Sequence, residues 1–357
     1  MAWQGIEGHD DVAARFVAAD ARGRIAGTYL FIGPDGVGKR TFATALARAL
    51  VCLAPRPGLL PCGACPSCVQ AMAGTHPDID VVAKPEDRAT IPLELLIGDR
   101  ENRMREGLCW RILLKPALGR RKVAIILDAD SLAEEGANCL LKTLEEPPDD
   151  AVIVLVGTAL ERQLPTIRSR SQIVRFAPLP EKVVAEALRA GIASGAIGNA
   201  DEATIATAAA RAAGSIDRAR LLLDADTGRF RSRLVSMLSA APLDGVELSR
   251  EVQALVEAAG KDAPPRRARL RVVLGGAVDF YRAALRHAAG TGATPGTHDE
   301  ELAAAAARFG GSAEDAAEAL RFSLDALDGI DRNAHLPTLV DAWTARLESL
   351  GRTAAPR

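Results

Sequence analysis

A glycine-rich turn near the N-terminus constrains the fold of this chain most strongly. Residues 33–39, Gly-Pro-Asp-Gly-Val-Gly-Lys, fit the pattern G-x-x-x-x-G-K, follow an apolar run at 28–32 and precede a helix-like stretch at 41–51. Such a strand–turn–helix unit turns backbone N–H groups toward phosphate oxygens, and its lysine reaches the outer phosphates. The sequence therefore predicts a nucleotide-binding type of α/β domain, with Gly33, Gly36, Gly38 and Lys39 as candidate phosphate contacts; a simple glycine turn with a solvated lysine is the alternative.

The first half of the chain alternates strand-like and helix-like segments. Apolar runs at 79–83, 123–127 and 151–156 are bounded by polar residues, and a helical stretch at 131–146 ends at two prolines. Runs of this kind suit strands buried on both faces, so we expect a parallel sheet with helices on both faces over residues 1–178. After about Pro180 the strand-like runs vanish, which predicts a small helical module at 179–226 and an all-α region at 227–357.

Composition narrows the functional classes. The net charge is −2 over 357 residues, whereas a protein that coats duplex DNA by itself is usually basic, so we expect any nucleic-acid contact to be local or shared with partners. The chain has neither a secretory signal pattern nor an uncharged apolar stretch of about 18 residues, so we expect no membrane contact and a cytoplasmic location.

The residues that would support hydrolysis are incomplete. A Ser or Thr should follow the lysine to hold Mg²⁺, but Arg40 stands there and Thr41 comes one position late, about 100° around the helix. Asp128 ends an apolar strand and suits a metal-orienting carboxylate, yet Ala129 follows it where a hydrolase needs a Glu. Asp128 is also explained as a strand-end carboxylate that caps the next turn. ATP or ADP binding is therefore expected to be possible but not required, with hydrolysis absent or very weak.

Four of the six cysteines lie within one short segment. Cys52, Cys62, Cys65 and Cys68 have the spacing C-x₉-C-x₂-C-x₂-C, and Gly63, Pro66 and Ser67 between them suit tight turns. In a cytosolic protein such a cluster indicates a metal site before it indicates disulfides. Four thiolates complete the tetrahedron of Zn²⁺, so we predict a closed, structural zinc module at 52–68.

Three longer motifs together resemble one protein family. They are Gly-Thr-His-Pro-Asp at 74–78, Asn-Cys-Leu-Leu-Lys-Thr-Leu-Glu-Glu-Pro-Pro at 138–148, and Ile-Arg-Ser-Arg-Ser at 167–171. In this order they are similar to the clamp-loader subunits of bacterial DNA polymerase III, which are AAA+ proteins. The resemblance is strong from about residue 5 to 178. It implies an AAA+ domain, a helical lid over 179–226 and a helical collar that mediates oligomerisation over 227–357.

The departures from the family pattern indicate which type of subunit this is. Motor subunits of the tau/gamma type carry Gly-Lys-Ser/Thr and an Asp-Glu pair, whereas Arg40 and Ala129 resemble the delta-prime type. The family's sensor threonine corresponds to Thr158, which a strand-end turn explains equally. Its second sensor arginine would follow Gly-Ser-x, but Asp217 stands there and Arg218 comes next.

The resemblance also implies a role for Arg170. The family has Ser-Arg-Cys where this chain has Ser169, Arg170 and Ser171, so the arginine is retained. It would act as an arginine finger that reaches the nucleotide of an adjacent subunit and stabilises charge on the transferring phosphate. The alternative is a surface arginine that pairs with a nearby acid.

The sequence thus favours a delta-prime-like stator of the polymerase holoenzyme. Expected partners are tau/gamma and delta-type subunits, with the sliding clamp and primed DNA reached through the complex. The alternatives are an active tau/gamma-type ATPase and a zinc-binding AAA+ adaptor in DNA repair. A basic stretch at 100–122 suits either DNA phosphates or a solvated surface.

Overall fold

The computed structural model describes residues 3–86, 88–103, 105–290 and 300–353 of the chain. Two compact units divide it, Met1–Val183 and Val184–Arg357. The division falls close to Pro180, where the sequence pattern changes from alternating to all-helical. The further division of the second unit into a lid and a collar stays a prediction.

The first unit contains a five-stranded parallel sheet in the order β2-β3-β4-β1-β5. All residues of β1, β3 and β4 are buried, as expected for central strands with both faces covered. The strands are β1 Thr28–Ile32, β2 Ile79–Val82, β3 Lys122–Ile126, β4 Ala151–Gly157 and β5 Gln172–Arg175.

Successive strand residues point to opposite sides of the sheet, so both of its faces are apolar, and helices cover both. On one face, Phe16 packs against Tyr29 and Phe42 packs against Phe31. On the other, Leu30 belongs to the apolar core that includes Leu96, Leu108 and Leu140. The helices of this unit are α1 Asp10–Ala21, α2 Lys39–Val51, α3 Pro66–Ala73, α4 Leu93–Ile97, α5 Gly107–Arg111, α6 Glu134–Glu145 and α7 Pro165–Arg168.

The second unit is helical. Within the parts of the chain that the structure describes, no strand follows Arg175, which confirms the predicted change of pattern. The long helix α13 packs against α11, α12, α14 and α15, and the buried Trp343 of α16 donates its indole N–H to Ser323 of α15. Its helices are α8 Glu181–Ala193, α9 Glu202–Arg211, α10 Ile216–Leu222, α11 Ala225–Leu238, α12 Gly245–Glu257, α13 Ala263–Ala288, α14 Glu300–Ala307, α15 Ala313–Asp331 and α16 Leu336–Thr353.

The architecture confirms the predicted fold class, an α/β domain with a parallel sheet covered on both faces and followed by helices. Strands β1 to β4 coincide within a residue or two with the four apolar runs. Strand β5 and the short helices α4 and α5 are additions that the sequence pattern did not reveal. Over the described ranges, no helix combines the length and the apolar character needed to cross a membrane.

Candidate functional site

The glycine-rich turn forms a phosphate-type loop at the carboxyl edge of the sheet. It joins β1 to the N-terminus of α2, and the N–H of Gly33 donates to the carbonyl of Thr158 at 3.1 Å. Gly36 and Gly38 have φ values of 73° and 93°, in the left-handed region that favours glycine. A Cβ built at Gly38 would meet no atom within 4 Å. The loop therefore leaves space beside the helix N-terminus, and this cradle fits a phosphate group.

Lys39 is folded back onto this loop. Only 6% of the residue is exposed, and its Nζ donates to the carbonyls of Gly33 at 2.5 Å and Pro34 at 2.6 Å. A residue outside the loop also contacts it. Nε2 of the buried His9, at the start of α1, makes a 2.6 Å hydrogen bond with the carbonyl of Val37. Sequence analysis did not predict the His9 contact, because 28 residues separate the two partners.

The two residues after the lysine do not complete a magnesium site. Arg40 and Thr41 are both exposed on α2. A guanidinium has no lone pair to offer a metal, and the exposed threonine lies one position further around the helix. The residues present therefore fit a bound phosphate but do not supply the hydroxyl ligand that Mg²⁺ takes in this class of loop.

Asp128 lies at the same edge of the sheet, after β3. The strand order places β3, β4 and β1 side by side, so Asp128, Thr158 and the phosphate loop follow neighbouring strands. Asp128 is exposed, has a φ of 54°, and accepts a 3.3 Å hydrogen bond on Oδ2 from the N–H of Lys84. Ala129 beside it is buried and offers no carboxylate.

Thr158 is held by Asp130, a carboxylate two positions after Asp128. Oδ2 of Asp130 accepts from the Thr158 N–H at 2.8 Å and from the Thr158 hydroxyl at 2.7 Å. The side-chain amide of the buried Gln163 donates to the other oxygen, Oδ1. Asp130 thus ties the end of β3 to the end of β4, and the candidate sensor hydroxyl is engaged within the domain.

The four clustered cysteines converge. The sulfur atoms of Cys52, Cys62, Cys65 and Cys68 all lie within 4.8 Å of one another, and the Cys62 and Cys68 sulfurs are 3.8 Å apart. A tetrahedral zinc with bonds of about 2.3 Å would set its sulfurs about 3.8 Å apart. The cluster therefore has the dimensions of a site for one tetrahedral metal ion.

Backbone N–H groups favour the thiolate form of part of this cluster. The N–H of Cys62 donates to the sulfur of Cys52 at 3.2 Å, and the N–H of Cys65 donates to the sulfur of Cys62 at 3.3 Å. Hydrogen bonds from the N–H groups of Ala64 and Cys65 lower the pKa of Cys62 to about 6. Burial raises the pKa of Cys68 to about 12, and a bound dication would offset that effect because metal ligation requires the thiolate.

His76 acts within the domain and is not part of the cysteine cluster. Its ring nitrogens contact the Ser67 hydroxyl at 2.8 Å and the N–H of Asp78 at 3.0 Å. The carboxylate of the fully buried Asp78 accepts three hydrogen bonds from the backbone N–H groups of residues 117–119, at 2.7–2.8 Å. Burial opposes ionisation of Asp78, but these N–H groups and Lys122 leave its pKa below the usual value. The Gly-Thr-His-Pro-Asp motif thus connects α3 to the segment that leads into β3.

Arg170 lies just beyond α7 and contacts the last residue of α6. Its Nε donates to Oε1 of Glu145 at 2.5 Å, and its Nη2 reaches the same oxygen. Its Nη1 donates to the carbonyl of Thr166 and to the hydroxyl of Ser169, each at 3.1 Å. We call these four residues the Arg170 corner; it joins two of the three motifs that sequence analysis singled out.

Other arginines that sequence analysis discussed are engaged inside their own unit. Arg218 pairs with Asp279 of α13 in the second unit. In the basic stretch, Arg111 pairs with Asp80 at 2.6 Å and Arg120 donates to the carbonyl of Cys52 at 2.6 Å. Arg103, Arg105 and Lys115 are exposed, so contact with DNA at these positions stays a prediction.

Comparison with known proteins identifies relatives of the first unit. Residues 8–180 match the family described as DNA polymerase III, delta subunit. The delta' subunit of DNA polymerase III from Pseudomonas aeruginosa is 38% identical over 159 residues, which cover 44% of this chain and 45% of that protein. The gamma/tau subunit from Mycobacterium tuberculosis is 36% identical over 179 residues, 50% of this chain and 29% of that one.

A solved structure is also similar. A DNA polymerase III gamma subunit-related protein from Thermotoga maritima aligns over 97% of this chain and 100% of its own, with 16% identity and a TM-score of 0.38. In both of these comparisons the match spans less than half the length of the curated relative.

Proposed function

We propose that the chain is a delta-prime-like stator subunit of the DNA polymerase III clamp loader, because residues 8–180 match the family described as DNA polymerase III, delta subunit, and resemble a delta' subunit at 38% identity. In this role it completes the nucleotide site of a neighbouring ATPase subunit and does not depend on hydrolysis at its own loop. The partners are tau/gamma- and delta-type subunits, in the cytoplasm. The sliding clamp and primed DNA are reached through the assembled complex.

One observation carries this proposal: the chain retains Arg170 at its surface while its own site lacks a metal ligand and a base. The Arg170 side chain is 28% exposed and lies in a short turn after α7. A guanidinium supplied in trans stabilises the charge that develops on a transferring phosphate, an effect of about 10³-fold or more. A residue that serves a neighbour's site needs no intact site behind it, which accounts for the loss of the hydrolytic residues at Arg40 and Ala129.

The chain's own loop is proposed to bind nucleotide weakly or not at all. Gly33, Gly36, Gly38 and Lys39 would hold the phosphates. Thr41, Asp128 and Thr158 are the remainder of the site: Thr41 and Asp128 are exposed, and the Thr158 hydroxyl donates to Asp130. ATP turnover by the isolated chain is therefore expected to be absent or very weak.

The remaining parts of the chain have supporting roles in this proposal. Zinc at Cys52, Cys62, Cys65 and Cys68 would be structural, because four protein ligands leave no open position. The helices from residue 227 onward would form the collar through which the subunits assemble, and residues 179–226 would form the lid.

The test uses the clamp loader reconstituted with this chain and its motor subunits. Arg170→Ala should lower clamp loading on primed DNA while leaving assembly intact, because an exposed ion pair contributes only about 0–1 kcal/mol to stability. Arg170→Lys should rescue poorly, since an ammonium lacks the planar donor fork. Arg168→Ala, an exposed arginine in the same motif, is the matched control. Unmodified loading by Arg170→Ala would contradict the proposal.

The active-motor alternative draws support from the gamma/tau relative at 36% identity. Arg40 and Ala129 argue against it, and ATP turnover by the purified chain at rates typical of motor subunits would establish it instead. The DNA-repair adaptor is distinguished by size-exclusion chromatography with the other loader subunits, since an adaptor would not co-elute with them.

A further inference from the structure

The Arg170 guanidinium has a fixed orientation inside its own domain. A guanidinium carries five N–H groups in a rigid plane: one on Nε and two on each Nη. Within the described residues, Nε uses one on Glu145, Nη1 has two acceptors in Thr166 and Ser169, and Nη2 uses one on Glu145. Four of the five are thus engaged, and one Nη2 hydrogen has no acceptor among the described residues.

Glu145 supplies the charged half of this arrangement. It is the last residue of α6, immediately before Glu146 and the two prolines that end the helix. One carboxylate oxygen, Oε1, receives both the Nε and the Nη2 donors, so the contact fixes the plane of the guanidinium as well as its position. Thr166 and Ser169 contact only Nη1, so without Glu145 the guanidinium would be bonded through Nη1 alone.

The contact is poorly explained as a stabilising interaction. The Glu145 side chain is 49% exposed and that of Arg170 is 28% exposed, and ion pairs this exposed contribute little to folding stability. A free arginine side chain, in contrast, loses much rotamer entropy when it is ordered. Ordering the side chain before a phosphate arrives removes that loss from the reaction step.

We propose that Glu145 is a positioning residue that pre-orients Arg170 for the nucleotide of the neighbouring subunit. This inference rests on the proposed function of Arg170 and adds to it the residue that sets the direction of the finger. It also gives the Leu-Glu-Glu-Pro-Pro motif a role: the prolines end α6 where its last carboxylate faces the arginine of the next motif.

The test measures ATP hydrolysis by the reconstituted complex at saturating clamp and primed DNA. Glu145→Ala should lower kcat roughly threefold with a KM for ATP that changes less than twofold, because the effect is limited to the one site that faces this chain. Glu145→Gln should retain most activity, since its amide oxygen still accepts the Nε–H. Glu146→Ala, which removes the same charge one exposed position away, should behave like the unmodified complex.

The double variant separates positioning from general damage. Glu145→Ala combined with Arg170→Ala should be no slower than Arg170→Ala alone, because Glu145 acts only through the arginine. If Arg170→Ala is slow while Glu145→Ala is unchanged or faster, the positioning role is wrong and the proposed function stands. If Arg170→Ala itself hydrolyses ATP at the unmodified rate, the proposed function is wrong and the role of Glu145 falls with it.

Discussion

The phosphate loop and the Arg170 corner both contain a cationic side chain bonded within the first unit, but they differ in how accessible that side chain is. Lys39 is 6% exposed and bonds two carbonyls of its own loop. Arg170 is 28% exposed and its main partner, Glu145, is half-exposed. Freeing a buried ammonium from its acceptors costs more than reaching a phosphate with a guanidinium that is already partly exposed. Under the proposed function, Arg170 is therefore the accessible cation, while Lys39 serves its own loop.

The ends of the strands show the same difference. At the chain's own site the Thr158 hydroxyl donates to Asp130, and no carboxylate occupies position 129. A side chain engaged in this way is part of the framework of the domain, whereas the Arg170 guanidinium keeps one Nη2 hydrogen without an acceptor among the described residues. The comparison therefore predicts that changes around the phosphate loop alter mainly stability, and that changes at the Arg170 corner alter mainly the activity of the assembled complex.

The largest expected effect is at the cysteine cluster, which lies outside both regions and provides a reference for them. Cys65→Ser should abolish metal binding, from close to one zinc per chain to none, because three thiolates leave the tetrahedron open. Serine also keeps a side-chain acceptor at the start of α3, where the Cys65 sulfur now accepts from the Cys68 N–H at 3.4 Å. Metal analysis of the purified chain measures the loss, with Cys139→Ser as the control outside the cluster.

We expect Cys65→Ser to change ATP hydrolysis by the complex little, so that this variant can serve as a reference for the other two regions. A fall as large as that of Arg170→Ala would mean that the metal module contributes to activity, and the contrast between the two regions would no longer be clean. Retention of a full equivalent of zinc would show instead that Cys65 is not a ligand.

The next effect concerns the strand ends. Asp130→Ala removes the acceptor of the Thr158 N–H, the Thr158 hydroxyl and the Gln163 amide, so it should lower the free energy of unfolding by about 2–4 kcal/mol. Asp128→Ala removes the acceptor of one 3.3 Å bond at an exposed position and should cost less than about 1 kcal/mol. Urea unfolding of the two variants measures the difference, and equal losses would contradict a structural role for Asp130.

The smallest expected effect is at the metal position of the loop. Arg40→Ser restores the hydroxyl after the lysine, yet ATP turnover by the purified chain should stay at background because Ala129 still provides no base. Turnover assays with the unmodified chain as baseline detect any gain. Hydrolysis by this single variant would show that the chain's own site needs only one repair, and the account of a doubly degraded site would be wrong.

Apolar runs predicted strands β1 to β4 and missed β5. Strand β5 has only four residues, three of them exposed, so its sequence carries no continuous apolar run. Helices α4 and α5 have five residues each, too few for a helical period to be visible. Strands β1, β3 and β4 were predictable because strands that are buried on both faces are nearly continuous apolar runs. Strand β2 has a similar run, although only Val82 of its four residues is buried.

The same reasoning applies to the candidate site. Local spacing identified the phosphate loop and the cysteine cluster, because their members are close in sequence. It did not identify the contacts of Asp130, Gln163, His9 and Glu145, since those contacts join residues 25 to 33 positions apart. Contacts across the sheet edge depend on strand order, which the sequence pattern alone does not give.

The most direct test of the central claim compares the two cations in one assay. Lys39→Ala and Arg170→Ala are introduced separately into the reconstituted clamp loader, and DNA-stimulated ATP hydrolysis is measured for each complex. We expect Arg170→Ala to lower the rate and Lys39→Ala to change it far less, because the first removes a group used by a neighbour and the second a group engaged within its own loop. A Lys39→Ala complex slowed as much as the Arg170→Ala complex, or more, would contradict the account.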